Sequence, residues 1–323
     1  MTMHLKDTMH LKNIFLIIKE TFRKWSEHKD SRLAAALAYY TIFSLAPLLI
    51  LVIAIAGSIL GEEAARGQIV QQLHQLIGTQ GAEVIETVIA GASQPGKSVS
   101  VIASIISAAV LIFGATGVFI QLQDALNTIW EVAPKPERNF KTFIFSRFLS
   151  FGMVMGIAFM LLVSLVISAA LAFLNNILGT LSPGMGYLWS AINIIISFSV
   201  ITLLFALIFK YLPDVNIAWG DVLIGAMITA LLFTIGKYLI GLYLGKSTFS
   251  SAYGAAGSLV VLLFWIYYSA QIIFVGAEFT QIYARHYGSK ITPANYAVFL
   301  TKEALAQQGI ISTKTVNKPI KPK

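Results

Sequence analysis

Acidic and polar side chains that fall inside long apolar stretches are the residues of this chain that could do chemistry. Glu278 follows a run that has no charged residue after Lys246, and it shares one helical face with Tyr267 and Gln271. A charged side chain at the centre of a bilayer costs roughly 2.5–3.5 kcal/mol, so such a group normally faces protein or a water-filled cavity. A carboxylate in that setting can carry a proton or pair with a cation, which is chemistry that ion-coupled transporters use.

Two further apolar stretches carry polar groups at helical spacing. Tyr40 and Ser44 share one side of the first stretch with Pro47, whose missing N–H predicts a kink. Asp124 is a second candidate proton carrier, and Arg147 is the expected counter-charge of the glutamate in the last stretch. We predict one polar pathway, formed by Tyr40, Ser44, Pro47, Gln121, Asp124, Arg147, Tyr267, Gln271 and Glu278. The alternative is that these polar and small residues only pack the helices together, as they often do in membranes.

The composition places most of the chain in a lipid bilayer. Hydrophobic residues make up 57% of the 323 residues and charged residues only 12%, about half the charged share of soluble proteins. So few charges could not cover a soluble surface, which excludes soluble enzymes as well as disordered and fibrous proteins. The sequence contains no cysteine, and this excludes disulfide frameworks, thiolate metal sites and cysteine nucleophiles.

Six stretches are long and apolar enough to cross a membrane as helices, since about 20 apolar residues span the hydrocarbon core. The predicted fold is all-α, a polytopic bundle of six transmembrane helices within residues 33–282. The predicted spans are 33–61, 98–123, 148–174, 187–209, 222–244 and 255–282. The connection 62–97 has the spacing of amphipathic helices and is expected outside the membrane.

Basic residues set the expected orientation of these spans. Nineteen Lys and Arg flank the spans on one side and three on the other, so the positive-inside rule places both termini in the cytoplasm. Residues 1–32 form a basic N-terminal segment. Its amphipathic part, 13–28, is expected either along the anionic inner leaflet or packed beneath the bundle. The tail, 283–323, is expected to be cytoplasmic, with one short helix near 294–307.

Motifs for soluble catalysis are absent from the sequence. Residues 241–247 resemble a phosphate-binding loop but have three residues between their glycines where that motif requires four. The five histidines are scattered along the chain, so their spacing predicts no metal centre. We therefore expect no enzymatic activity, no catalytic residue, no cofactor and no nucleic-acid partner, because topology alone explains the basic residues.

Three separated motifs resemble those of the YihY/BrkB family of bacterial inner-membrane proteins. Residues 34–47 read AAALAYYTIFSLAP and residues 253–278 read YGAAGSLVVLLFWIYYSAQIIFVGAE. Residues 211–214 read YLPD, where family members often have Asn in place of Asp214. The resemblance covers roughly residues 15–288 and implies a six-helix fold in the inner (plasma) membrane. Because members have been labelled ribonuclease BN, virulence factor or transporter, the resemblance does not decide the function.

Two main hypotheses of function follow. The first is a transporter or flippase-like protein that handles lipid or an amphiphilic, anionic solute, by a passive or ion-coupled route. Its partners would be membrane lipids, including anionic inner-leaflet lipids, and a substrate that the sequence does not identify. The alternative is a structural or interaction protein of the cell envelope, for which the polar faces only pack. A membrane-associated ribonuclease is a remote third, and the sequence leaves the oligomeric state open.

Overall fold

The computed structural model describes residues 2–61, 101–135, 186–246, 257–288 and 291–301, with a few isolated residues between these ranges. Six helices and four short strands follow one another in these ranges: α1 (Thr2–Glu27), α2 (Asp30–Leu60), α3 (Val101–Ile129), β1 (Val132–Pro134), α4 (Gly186–Tyr211), β2 (Val215–Asn216), α5 (Trp219–Lys246), α6 (Gly257–His286), β3 (Thr292–Pro293) and β4 (Ala297–Phe299). Helices α2 to α6 overlap five of the predicted spans. The predicted span 148–174 and most of the loop 62–97 lie outside the described residues.

The outward faces of the helices are apolar. Helices α4, α5 and α6 are long and apolar enough to cross a membrane, and α2 is a fourth if its two halves form one span. Large exposed apolar side chains cover these helices, among them Ile194, Ile195, Leu203, Leu231, Ile235, Leu239, Leu259, Leu263 and Phe264. A continuous apolar exterior of this kind is suited to lipid and not to water.

Helix α6 is the central element of the described bundle. It packs against α1, α2, α3 and α5, while α4 packs against α5. The main hydrophobic core lies between these helices around Leu126, Phe209 and Phe274, which are fully buried. The central position of α6 means that its polar side chains meet partners from several other helices.

Helix α2 is bent by 49° between its halves Asp30–Leu45 and Pro47–Ala54. Pro47 has no N–H for the carbonyl of Phe43, and its ring crowds the preceding turn, so the predicted kink is confirmed. At the bend and just before it, α2 lies close to α3. A Cβ added to Gly114 would lie 2.7 Å from Pro47 Cγ, and one added to Gly117 would lie 2.9 Å from Ser44 Oγ.

Helices α5 and α6 interlock through two reciprocal glycine–threonine contacts. A Cβ added to Gly225 would lie 1.9 Å from Thr280 Oγ1, and one added to Gly276 would lie 2.0 Å from Thr229 Oγ1. Both threonine hydroxyls donate to carbonyls of their own helix, so their polar groups are satisfied within the interface. Small residues that let two backbones approach closely are typical of helix contacts in membranes.

Short strands and a buried aspartate gather several chain segments at one end of the bundle. Strand β1 pairs antiparallel with β4, and β2 pairs antiparallel with β3. Asp214, buried in the α4–α5 connection, accepts hydrogen bonds from Gln123 Nε2 at 3.0 Å and Asn127 Nδ2 at 2.9 Å. Its own N–H donates to Asn127 Oδ1 at 2.7 Å. The ends of α3, α4 and α6 and the start of α5 therefore lie together.

The segment that follows α6 differs from the sequence prediction. A short helix was predicted near 294–307, but residues 297–299 form β4, which pairs with β1. Val298 and Phe299 favour extended backbone, and the exposed edge of β1 offers them hydrogen bonds that a single helical turn would lack. Residues 302–307 lie outside the described part of the chain.

The contact between α5 and α6 yields a direct test. Gly225→Ala should lower the stability of the protein by roughly 1–3 kcal/mol, because the new methyl group would overlap Thr280. The loss would be measured as a lower thermal unfolding midpoint of the purified protein in detergent.

Gly220→Ala is the matched control in the same helix, since a Cβ at Gly220 meets no atom of the described structure within 4 Å. This variant should unfold at the wild-type temperature or slightly above it. Equal stability of both variants would contradict the close contact between α5 and α6.

Candidate functional site

The candidate site begins at the junction between α1 and α2. Residues His28 and Lys29 join the two helices, and Lys29 adopts a left-handed backbone conformation with φ of 59°. This conformation is uncommon for a residue with a side chain. His28 and Asp30, on either side of Lys29, are both fully buried, while Lys29 itself is exposed.

Glu278 of α6 meets this junction. Its Oε1 atom lies 2.5 Å from His28 Nδ1, and both side chains have 0% exposure. Ligand atoms of His28, Asp30 and Glu278 all lie within 4.8 Å of one another. We call these three residues the junction cluster. Two acidic residues and one imidazole are thus enclosed where α1, α2 and α6 meet.

Glu131 connects the junction cluster to two further cationic side chains. It follows α3, has a left-handed backbone with φ of 56°, and accepts a backbone hydrogen bond from Leu300 at its carbonyl oxygen. Its carboxylate lies 2.6 Å from Lys24 Nζ and 3.1 Å from Arg285 Nη2. Its Oε1 atom is also 3.4 Å from His28 Nε2, an ion-pair distance without hydrogen-bond geometry. Glu131 therefore joins α1, α3 and α6.

The charges of this network alter the pKa of the residues outside the spans. Burial by itself would lower the pKa of His28, but the neighbouring carboxylates of Glu131 and Glu278 outweigh burial and raise the pKa to about 9. Burial would raise the pKa of Glu131, but His28, Arg285 and Lys24 hold it well below its usual range. The local field thus favours a positive charge at His28 and a negative charge at Glu131.

Two hydrogen bonds to α6 complete the site. Trp25 Nε1 donates to Gln271 Oε1 at 2.9 Å, which fixes α1 against the face of α6 that also carries Glu278. Gln281 Nε2 donates to the carbonyl oxygen of Ile129 at 2.6 Å, which satisfies a backbone group at the end of α3. Polar side chains on one face of α6 therefore bind α1 and α3.

The predicted pathway residues are distributed over several contacts. Gln271 and Glu278 lie in the network just described, and Tyr267 is half-buried one turn before Gln271. Ser44 and Pro47 contact the glycines of α3. Among the other predicted pathway residues, Gln121 is half-buried and both Tyr40 and Asp124 are exposed. Arg147 lies outside the described residues.

Sequence reasoning missed the residues that surround Glu278. Arg147 was the expected partner of this glutamate, whereas the partner found among the described residues is His28. Spacing predicted no metal-binding cluster, yet the fold brings His28 and Asp30 to Glu278 across about 250 residues of sequence. The sequence did contain one indication of this contact. His28 and Asp30 directly precede the first apolar stretch, where they could meet the polar end of another helix.

The role of Glu131 as the shared partner of Lys24, Arg285 and His28 can be tested by substitution. Glu131→Gln should destabilise the protein by roughly 2–4 kcal/mol, because Lys24, Arg285 and His28 would lose their shared negative partner. Thermal unfolding in detergent would measure the loss, and faster proteolysis of α1 would show that this helix has come away from α6.

Glu20→Gln provides the matched control. Glu20 pairs with Arg23 and His286 at a more exposed position on α1, and pairs of that kind contribute at most about 1 kcal/mol. If Glu131→Gln were as stable as Glu20→Gln, the carboxylate of Glu131 would not hold these helices together.

Comparison with known proteins identifies the family. The family model described as virulence factor BrkB matches residues 21–298. A UPF0761 membrane protein of Psychromonas ingrahamii is 29% identical over 76% of this chain and 80% of its own length. One from Ralstonia nicotianae is 24% identical over 79% of this chain and 56% of its own length.

The first relatives are longer than the region matched. The chain spans between 56% and 65% of the length of the relatives from Ralstonia nicotianae, Verminephrobacter eiseniae and Acinetobacter baylyi. No solved structure matches the chain. The match over residues 21–298 includes the apolar helices, the junction cluster and Glu131. The chain is therefore a membrane protein of the BrkB family.

Proposed function

We propose that this protein is a transporter or flippase-like protein that handles lipid or an amphiphilic, anionic solute, by a passive or ion-coupled route. The observation that carries the proposal is Glu278, a fully buried carboxylate within an apolar helix that is long enough to cross the membrane. Ionisable groups at such positions are costly, and they commonly mark substrate or ion pathways.

The bend in α2 supports the same proposal. Helix α2 contacts α6, and its break at Pro47 frees a backbone carbonyl within the membrane-spanning part. Broken helices in membranes occur where neighbouring protein or a cavity satisfies the freed groups, and many transporters use them. A bent helix beside a helix with a buried carboxylate is therefore a suitable place for a substrate to pass.

We also propose six spans with both termini in the cytoplasm of a bacterial inner membrane. The strand pairs gather the ends of α3, α4 and α6 at one end of the bundle, together with the start of α5. Since α3 and α4 both run toward this end, the chain must return to the far end between them. One crossing by the predicted span 148–174 meets this requirement, and the basic residues favour the cytoplasm for the shared end.

The outward face of α1 suits an anionic membrane surface. Phe15, Ile18 and Phe22 are exposed on this helix with exposed fractions of 66%, 45% and 57%, and Lys19 and Arg23 are exposed beside them. Apolar side chains flanked by basic ones are typical of helices that lie in the headgroup region. We therefore propose that α1 packs on α6 with one face and contacts inner-leaflet lipid with the other.

A structural or interaction role in the envelope is the second candidate. The contacts of Gly114 with Pro47 and of Gly117 with Ser44 favour it, because they show two of the predicted pathway residues in close helix packing. A ribonuclease is not proposed. We propose that the protein is not an enzyme, because motifs for soluble catalysis are absent from the sequence.

Reporter fusions would test the proposed topology. Fusions at Lys323 and directly after Arg138 should report a cytoplasmic location, and fusions within 62–97 should report the outside. A C-terminus outside the cytoplasm would contradict the six-span arrangement, because an even number of crossings returns the chain to the side where it began.

Transport can be tested in liposomes that contain the purified protein and trace phosphatidylglycerol with a fluorescent headgroup. Dithionite bleaches only the outer-leaflet probe unless the protein moves lipid between leaflets. Wild type should therefore make the inner-leaflet probe accessible, and Glu278→Gln should abolish this movement, since the amide keeps the size of the side chain but not its charge.

Glu20→Gln is the control for the same chemical change at a more exposed site, and it should move lipid like wild type. Folding of each variant would be checked by thermal unfolding before reconstitution. Movement by a folded Glu278→Gln protein would remove this residue from the mechanism. Failure of wild type to move phosphatidylglycerol or an uncharged lipid analogue would contradict lipid transport and favour the structural role.

A further inference from the structure

We propose that His28, Asp30 and Glu278 bind one divalent transition-metal cation, which fastens the α1–α2 junction to α6. The proposed site shares Glu278 with the transport hypothesis, but that hypothesis does not require a bound metal, so the test measures metal binding and not transport. The proposal rests on the placement of donor atoms, on their burial, and on the charges that surround them.

The junction cluster contains buried donor atoms that lack partners. Among the described residues, both carboxylate oxygens of Asp30 and the Oε2 atom of Glu278 have no hydrogen-bond partner, although all three are inaccessible to solvent. A buried carboxylate oxygen without a partner is strongly disfavoured. Because donor atoms of the three side chains lie within 4.8 Å of one another, one cation could satisfy both carboxylates at once.

Among the described residues, the cationic side chains near the junction cluster form their ion pairs with glutamates and not with Asp30. Lys24 and Arg285 both bind the carboxylate of Glu131. His28 contacts Glu278 through Nδ1 and Glu131 through Nε2, so one imidazolium would be shared between two glutamates. A divalent cation would balance Asp30 and Glu278 together. On binding, the metal ion would displace the proton between His28 Nδ1 and Glu278. The negative charge of the surrounding carboxylates attracts a metal ion as it attracts a proton.

The donor set indicates the class of metal. One imidazole nitrogen and two carboxylates suit Zn²⁺, Mn²⁺ or Fe²⁺ better than Mg²⁺ or Ca²⁺, which prefer oxygen alone. Zinc bonds to nitrogen and oxygen are about 2.0–2.2 Å long, which places ligand atoms about 3.3 Å apart. His28 Nδ1 and Glu278 Oε1, now 2.5 Å apart, would therefore have to separate, and any wider pair within the 4.8 Å limit would have to close. Complete burial of all three residues is typical of a structural site.

Glu131 has the position expected of an outer partner in such a site. Histidines that bind metal usually direct the other ring nitrogen to a carboxylate, which fixes the tautomer and the orientation of the ring. His28 Nε2 lies 3.4 Å from Glu131 Oε1, while Nδ1 faces Glu278. Because the 3.4 Å separation is an ion-pair distance without hydrogen-bond geometry, the ring of His28 would have to turn on metal binding to complete the order carboxylate, histidine, metal.

Metal binding to the full-length protein provides the test. The protein would be purified with a tag that contains no histidine, stripped with chelator, and titrated separately with Zn²⁺ and Mn²⁺. Bound metal would be measured by mass spectrometry after dialysis. Wild type should retain about one equivalent of at least one of the two metals and unfold at a higher temperature with it, because a ligand bound only by the folded state stabilises that state.

Substitutions identify the ligands. His28→Gln and Asp30→Asn should each weaken binding at least about tenfold, and Glu131→Gln should weaken it while leaving the stoichiometry unchanged. His286→Gln is the matched control, because His286 is exposed and pairs with Glu20 outside the cluster; it should bind as wild type does. The sequence has no cysteine, so no thiolate site would contribute background.

Two results of the metal-binding experiments would overturn the proposal. No retained metal in wild type would overturn the proposal and would mean that a proton or another side chain balances the cluster. Equal binding by wild type, His28→Gln and Asp30→Asn would also overturn it. If either variant failed to fold, X-ray absorption of the zinc-loaded wild-type protein would decide, because scattering from an imidazole ring identifies a histidine ligand and its absence would overturn the proposal. Neither result depends on whether the protein moves lipid.

Discussion

The buried carboxylate of Glu278 is the constraint on which the described structure depends. An ionised group inside an apolar helix must be paired or it destabilises the fold by several kcal/mol. The pairing reaches from α6 to His28, and from His28 to Glu131 with its bonds to Lys24 and Arg285. These contacts hold the junction of α1 and α2 and the end of α3 against α6, so the pairing of one buried carboxyl group connects four helices.

The backbone at this site is also unusual. Lys29 and Glu131 are the two residues with side chains that have positive φ in the described part of the chain, and both border the same cluster. A left-handed conformation at such residues costs of order 1–3 kcal/mol and persists where surrounding contacts require it. At Lys29 the turn brings His28 and Asp30 inward, and at Glu131 it brings the carboxylate toward Lys24. Both strained residues therefore position the side chains of one buried, charged cluster.

Sequence reasoning predicted the features that depend on local pattern. Apolar runs indicated the helices, the missing N–H of Pro47 indicated the bend in α2, and helical spacing placed Glu278 on an inward face with Gln271. It did not find the partners of Glu278, because no periodicity relates His28 to a residue 250 positions away. The tail was also mispredicted, since its strand depends on pairing between Phe299 and Val132. Contacts distant in sequence require the fold before they can be seen.

The two faces of α6 make contacts of different physical kinds. Gly276 and Thr280 face α5, where close packing decides the contact and charge plays no part. Glu278 lies about 200° around the helix from Gly276, on the side that meets α1 and α2, where the contact depends on charge balance. A cation gained or lost at the junction cluster would therefore act on α1 and the start of α2 while α5 and α6 stay together. The first half of α2 also packs on α3, since Ser44 contacts Gly117, so any such change at the junction cluster would reach α3 as well as α1.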